Sequence, residues 1–132
     1  MLDPEIEEGC IEYKRYIIDK DDKRLEELAS QMKWRLAEGN GLCVYYLGVN
    51  DDGSIYKLTN LMIKESFKNI KLITKKINCK LQKVTKLKDN DKVYFKLEII
   101  SDDFMGEAKR ILLLGDTKVG KTTFLAYLIN DK

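Results

Sequence analysis

The sequence contains no histidine, one proline and one tryptophan, and its cysteines number only three. Cys10, Cys43 and Cys79 are separated by 33 and 36 residues, form no CxxC pair and have no histidine to complete a ligand set, which excludes a structural zinc site and leaves the thiols expected reduced and partly buried. No stretch approaches the ~18 apolar residues that cross a bilayer. The acidic start, Asp3, Glu5, Glu7 and Glu8, is unlike the basic opening of a signal or transit peptide. A cytoplasmic protein with no membrane partner is therefore expected. Internal repeats and low-complexity tracts are absent too.

What is present is the composition of a packed globule, 44% hydrophobic and 35% charged. A chain of 132 residues has room for a domain of about 100 residues and the beginning of a second. The net charge of +2 conceals a polarity along the chain. Residues 1–30 carry ten acids against five bases, whereas residues 60–88 carry nine lysines against Glu65 alone. A basic face of that kind suits a polyanion, and the plain alternative is a solvated helix with its neighbouring strand.

The pattern of side chains predicts a mixed α/β, α+β-type domain over residues 1–100 in the order β-α-β-β-α-β-β. Residues 11–18, IEYKRYII, read as a strand. A helix follows, capped by Asp21 or Asp22 and ended at Gly39, with Leu25, Leu28, Ala29, Met32 and Leu36 in one apolar stripe. Trp34 falls about 180° from Leu25, either covered by another segment or open to a partner. Residues 42–49, LCVYYLGV, read as a buried strand, the turn NDDG and the short strand SIYKL as its hairpin partner. Thr59 or Asn60 opens a second helix whose Ile63, Phe67, Ile70 and Ile77 share one face while Lys64, Lys68, Lys71 and Lys75 line another. Residues 80–87 and 92–100 read as two strands, and 101–106 as a linker.

Residues 107–132 carry the most specific chemistry. The apolar strand RILLLG runs into Gly115, Asp116, Thr117, Lys118, Val119, Gly120, Lys121, Thr122 and Thr123, then an apolar helix start. This is GxxxxGK[ST] in its proper setting, the opening of a P-loop nucleotide-binding domain. The glycines let backbone N–H groups fold around a phosphate chain, the helix N-terminus adds its positive dipole end, Lys121 supplies a point charge and Thr122 would ligate Mg2+. The plain alternative is a glycine-bearing strand-to-helix turn without a ligand. Phosphoryl transfer also needs a second acid for magnesium, a group to orient water and a base-recognition segment. All of these lie beyond Lys132 in a P-loop protein, so no catalytic residue is assigned within these 132 residues, and alone they are expected to bind GTP or ATP weakly and to hydrolyse neither.

The pieces EEGCIEYK (7–14), QMKWRLAEGNG (31–41) and LGVNDDG (47–53) resemble the N-terminal domain of the GTP-binding protein 1 and 2 family, relatives of translation elongation factors, over about 100 residues. In that family the same domain is followed by the P-loop of a translational GTPase, as here. The resemblance implies a GTP-dependent factor acting on tRNA, ribosomes or RNA turnover, with Gly115, Gly120, Lys121 and Thr122 in the nucleotide motif. Lys118 departs from it. Translational GTPases usually carry aspartate at that position, and GDTKVGKTT looks closer to the loop of Ras-like small GTPases.

The same region is also similar to divergent AlbA/Schlafen-type domains, some of which cleave RNA with three carboxylates. That resemblance points to Glu7, Glu12 and Asp51 as holders of a divalent cation. The plain reading makes Glu12 a solvated strand position beside Lys14, and Asp51 a turn former beside Gly53. For RNA binding without cleavage, the candidates are Lys64, Lys68, Lys71 and Lys75 for phosphates and Trp34 for stacking. A module that docks a protein and regulates an attached G domain is the third reading.

Overall fold

The computed structural model describes residues 1–102. Within the compact unit Met1–Ser101 the elements run β1 (Ile11–Lys14), α1 (Asp22–Glu38), β2 (Leu42–Leu47), α2 (Asn60–Lys76), β3 (Cys79–Asp89) and β4 (Lys92–Ser101). They form a mixed four-stranded sheet in the order β1-β2-β4-β3. β1 and β2 are parallel, joined through α1, and the pairs β2–β4 and β4–β3 are antiparallel. The fold is thus mixed α/β, as the side-chain pattern predicts, with one strand fewer.

The missing strand is SIYKL. Residues 50–53 do turn, with Gly53 N–H donating to Asn50 O and Asn50 N–H to Ser54 O. Beyond the turn only Ile55 bridges back, to Val49. The reason is topological: β1 occupies one edge of β2 and β4 the other, so residues 54–58 find no free edge. The first strand is also shorter than 11–18. Past Lys14 the backbone leaves the sheet for α2, where Ser66 Oγ accepts from Ile17 N–H (2.8 Å) and Asn69 Nδ2 donates to the carbonyls of Ile17 (2.8 Å) and Asp19 (2.9 Å). Both side chains are buried.

Both helices pack on one face of the sheet. α1 sets Leu25, Leu28, Ala29, Met32 and Leu36 against Cys43, Tyr45 and Leu47 of β2 and Leu97 and Ile99 of β4, and Ile70 and Ile73 of α2 join the same core. Asp21 stands at the N-cap of α1 without a side-chain capping bond, while Thr59 Oγ1 caps α2 by accepting from Met62 N–H. Cys43 and Cys79 are buried, Cys10 is half-buried, and none is bonded to another; burial pushes the Cys43 thiol up, so it stays protonated. On the opposite face Tyr13, Val49 and Ile55 form a second cluster with Leu2, Tyr46 and Tyr94. The N-terminal segment reaches this cluster. Leu2 N–H donates to Gly53 O and Glu5 N–H to Asp51 O. Gly53, at φ 92°, leaves room for this approach, since a Cβ there would lie 1.9 Å from Leu2 O.

β3 carries one irregularity with consequences for its surface. Between Leu81 and Lys83 the register slips by one residue. A bulge reverses the alternation of side chains beyond it. Lys86 and Lys88 therefore lie opposite Phe95 and Val93, which belong to the helix-covered face.

Candidate functional site

Two arrangements concentrate charge. The first is a row on α2, where Lys64, Lys68, Lys71 and Lys75 are all exposed. Steps of four, three and four residues keep them on one face. At 1.5 Å per residue the row is about 16 Å long. Among the described residues none of the four has a carboxylate partner. The ion pairs of this region lie along the helix flank instead, Lys20 with Glu65 (3.5 Å) and Lys76 with Glu26 (3.0 Å), and they tie α2 to the region of α1. Glu65, the one acid of residues 60–88, is thus engaged already. The expected lysine stripe is present and, among the described residues, faces no carboxylate partner.

The second arrangement centres on Arg35, buried on α1 at 3% exposure. Its Nε donates to Glu12 Oε1 (2.7 Å), its Nη1 to the carbonyls of Gly9 (2.8 Å) and Glu8 (3.2 Å), and its Nη2 to the carbonyl of Ile6 (3.1 Å). The guanidinium therefore anchors the segment 5–9. Its partner Glu12 is 4% exposed, which overturns the reading of Glu12 as a solvated strand position: it faces α1, and Lys14 Nζ approaches its other oxygen at 3.5 Å. Trp34 is 45% exposed, with Arg35 Cζ 4.9 Å from its ring centroid. The indole thus belongs to this cluster on α1, not to the lysine row of α2.

Beside the cluster lies a cleft of about 410 Å³ whose lining includes Glu5, Glu12, Tyr13, Arg15, Arg24 and Asp51. The three acids suggested for metal-dependent cleavage do not meet in it. Glu7 is exposed and outside the lining, Glu12 is committed to Arg35, and Asp51 is exposed at the turn. Glu5 is the acid that approaches Glu12 and Asp51. Among the described residues no group of three or more such side chains is placed to hold a metal ion.

Burial raises the Glu5 carboxyl above its ordinary range; the N–H of Tyr13, donated at 2.6 Å, works against this, while Glu12 and Asp51 reinforce it. Arg35 Nη2 stands 3.8 Å from Glu5 Oε2 and lowers the value slightly, but its closer bond is to Glu12, so burial prevails. A raised acid destabilises the fold once ionised, so its penalty is absent at low pH and grows as pH rises through the carboxylate range. Glu5→Gln is expected to gain stability relative to the parent as pH rises from about 4 to 7. Urea titrations across that range check it; a constant difference would contradict the sign.

Sequence reading missed both Arg35 and Glu5. Arg35 had a signal, because it falls inside the apolar stripe of α1, three residues after Met32 and beside Leu36. Glu5 had none, since its position follows from how the N-terminal segment crosses the sheet. The P-loop candidates, Gly115 to Thr123, lie outside the described residues.

Comparison with known proteins covers nearly the whole chain. The mouse protein named GTP-binding protein 2 is 32% identical over 137 residues, covering 96% of this chain, and its human counterpart is 32% identical over 134 residues with the same coverage. The chain belongs to the GTP-binding protein 1 and 2 family. It matches that family's N-terminal region and spans 22% of the length of those two relatives. Coverage of 96% of 132 residues is about 127 residues, so the match with the family reaches past Thr123 even if every unmatched residue were at the C-terminal end. A protein of Acanthamoeba polyphaga mimivirus described as uncharacterized protein R625 is 35% identical over 92 residues, covering 69% of this chain and 50% of its own length. No family model and no solved structure matches.

Proposed function

We propose that this chain is part of the N-terminal region of a GTP-binding, elongation-factor-like GTPase in which residues 1–100 form an RNA-contact module and residues 107–132 open the G domain. The RNA part rests on one observation: four lysines in file on α2, exposed and without a carboxylate partner among the described residues. A solvated helix with no anionic partner commonly intersperses acids with its lysines. Here the only acid of the region is turned to Lys20. The structure of an RNA or a ribosome offers the complementary phosphate surface.

The GTP part is supported by the named relatives, whose match extends through GDTKVGKTT. The donor set there suits a nucleotide phosphate chain: backbone N–H groups between Gly115 and Gly120, the Lys121 ammonium and the Thr122 hydroxyl, which would face Mg2+. In a protein that carries this chain together with a complete G domain, Lys121→Ala is expected to weaken binding of a fluorescent GTP analogue on the order of 100-fold or more. Unaltered affinity would remove the P-loop from the account. For the RNA contact, neutralising Lys64, Lys68, Lys71 and Lys75 to alanine is expected to weaken tRNA binding on the order of 100-fold at about 50 mM salt. A mobility-shift titration reads the effect, and an unchanged affinity would refute the lysine row as the contact.

A further inference from the structure

We propose that the RNA-contact surface extends from α2 onto the edge strand β3 and is built for the phosphates of base-paired RNA rather than for the bases of a single strand. This rests on the RNA-contact reading and deepens it. The extension comes from the bulge. With an unbroken alternation from Leu81, the residues on the helix side of β3 would be Lys83, Thr85 and Leu87. The slip between Leu81 and Lys83 puts Val84, Lys86 and Lys88 there instead, opposite Leu97, Phe95 and Val93. Both lysines are exposed. α2 packs over β3, so Lys86 and Lys88 emerge on the side of the sheet that carries the row Lys64, Lys68, Lys71 and Lys75. Six ammonium groups thus share one side of the domain.

The choice of duplex follows from what accompanies those charges. Proteins that hold a flexible single strand order it with aromatic rings on which bases stack. The only aromatic residue of α2 is Phe67, and its ring is turned inward against Phe95 at 5.3 Å in an edge-to-face contact. β3 has no aromatic residue. Lysine presents a compact charge without the planar fork that reads base edges, and the apolar side chains exposed beside the lysines, Leu72 and Val84, have no hydrogen-bonding group with which to read a base. A duplex offers two phosphate chains at fixed spacing, about twice the linear charge of one strand, and it is already ordered before it binds. The recognition should be indifferent to sequence.

Fluorescence anisotropy with the full 132-residue chain tests this. The probes are two RNA duplexes of about 16 base pairs and unrelated sequence, with each of their separated strands, titrated between about 50 and 200 mM salt. The expected result is that both duplexes bind alike, within about two-fold, and at least about ten-fold more tightly than any single strand. Neutralising the four lysines of α2 should reduce the slope of log affinity against log salt by about 4, and neutralising Lys86 and Lys88 by a further ~2, at about 0.9 per phosphate contact. Lys23 and Lys33 of α1, neutralised together, serve as a control with no change in slope, and circular dichroism verifies that each variant is folded. Equal or tighter binding of single strands, dependence on sequence, or an unchanged slope on removing Lys86 and Lys88 would overturn this inference while leaving the RNA-contact reading standing. Absence of RNA binding, or indifference to the four α2 lysines, would overturn both.

Discussion

Arg35→Ala is expected to destabilise the α/β unit by about 3–5 kcal/mol, the range for removing one partner of a buried ion pair. The cause is not only the lost attraction. Glu12, 4% exposed, would remain in the interior as a carboxylate with Lys14 Nζ at 3.5 Å as its nearest cation. The carbonyls of Ile6, Glu8 and Gly9 would lose their common donor. For a unit of this size the melting temperature should fall by more than about 10 °C, and the segment 2–9 should become susceptible to protease at or before the global transition. The paired replacement Arg35→Met with Glu12→Leu separates burial from function, because well-packed apolar substitutes for a buried ion pair are often neutral or stabilising. It is expected to recover the part of the loss that comes from leaving Glu12 without its partner, while the part that comes from the orphaned carbonyls of Ile6, Glu8 and Gly9 persists. A melting temperature unchanged in Arg35→Ala would mean that the arginine does not anchor the N-terminal segment.

Asn69→Leu is the second large effect, at about 2–3 kcal/mol. Asn69 is 3% exposed, and its Nδ2 serves two backbone carbonyls, Ile17 and Asp19, where the chain crosses from β1 to α1. Leucine is of similar size but leaves both acceptors without that donor, and each buried orphan costs about 1–3 kcal/mol. Ser66 Oγ holds the N–H of Ile17 from the same helix. Ser66→Ala and Asn69→Leu therefore act on one connection, and their combined effect is expected to differ from the sum of the two. Thermal melts of the three variants measure this. Full additivity, or a loss below about 0.5 kcal/mol for Asn69→Leu, would show that the connection is held by other contacts.

The parts of the fold that follow from local periodicity were legible in the sequence. Leu25, Leu28, Ala29, Met32 and Leu36 announced the buried stripe of α1, and Lys64, Lys68, Lys71 and Lys75 announced the exposed row of α2. Gly39 and Thr59 marked helix ends. Features that depend on what lies next in space were not legible. SIYKL has the residues of a strand, yet β1 and β4 take both edges of β2. Tyr16 to Ile18 have the residues of a strand as well, yet Ser66 and Asn69 of α2 draw that backbone out of the sheet. Glu12 looked solvated because alternation alone does not reveal that an arginine waits on the facing helix. Arg35, Ser66 and Asn69 share one recoverable signal: each is a polar residue on an otherwise apolar helical face, where a buried polar group needs a partner. The bulge at Leu81–Lys83 left no such mark, and it alone decides which side of β3 carries Lys86 and Lys88.

The central claim is that this N-terminal module meets RNA through the lysine face and not through the Arg35 cluster or the cleft beside it. The most direct test is a map of amide chemical-shift changes in the isotopically labelled full chain as a short RNA duplex is added at low salt. The account predicts that the changes cluster along α2 from Met62 to Lys76 and at Lys86 to Lys88, and vanish when Lys64, Lys68, Lys71 and Lys75 are alanine. Changes centred instead on Glu5, Glu12, Trp34 and Asp51, with α2 silent, would contradict it.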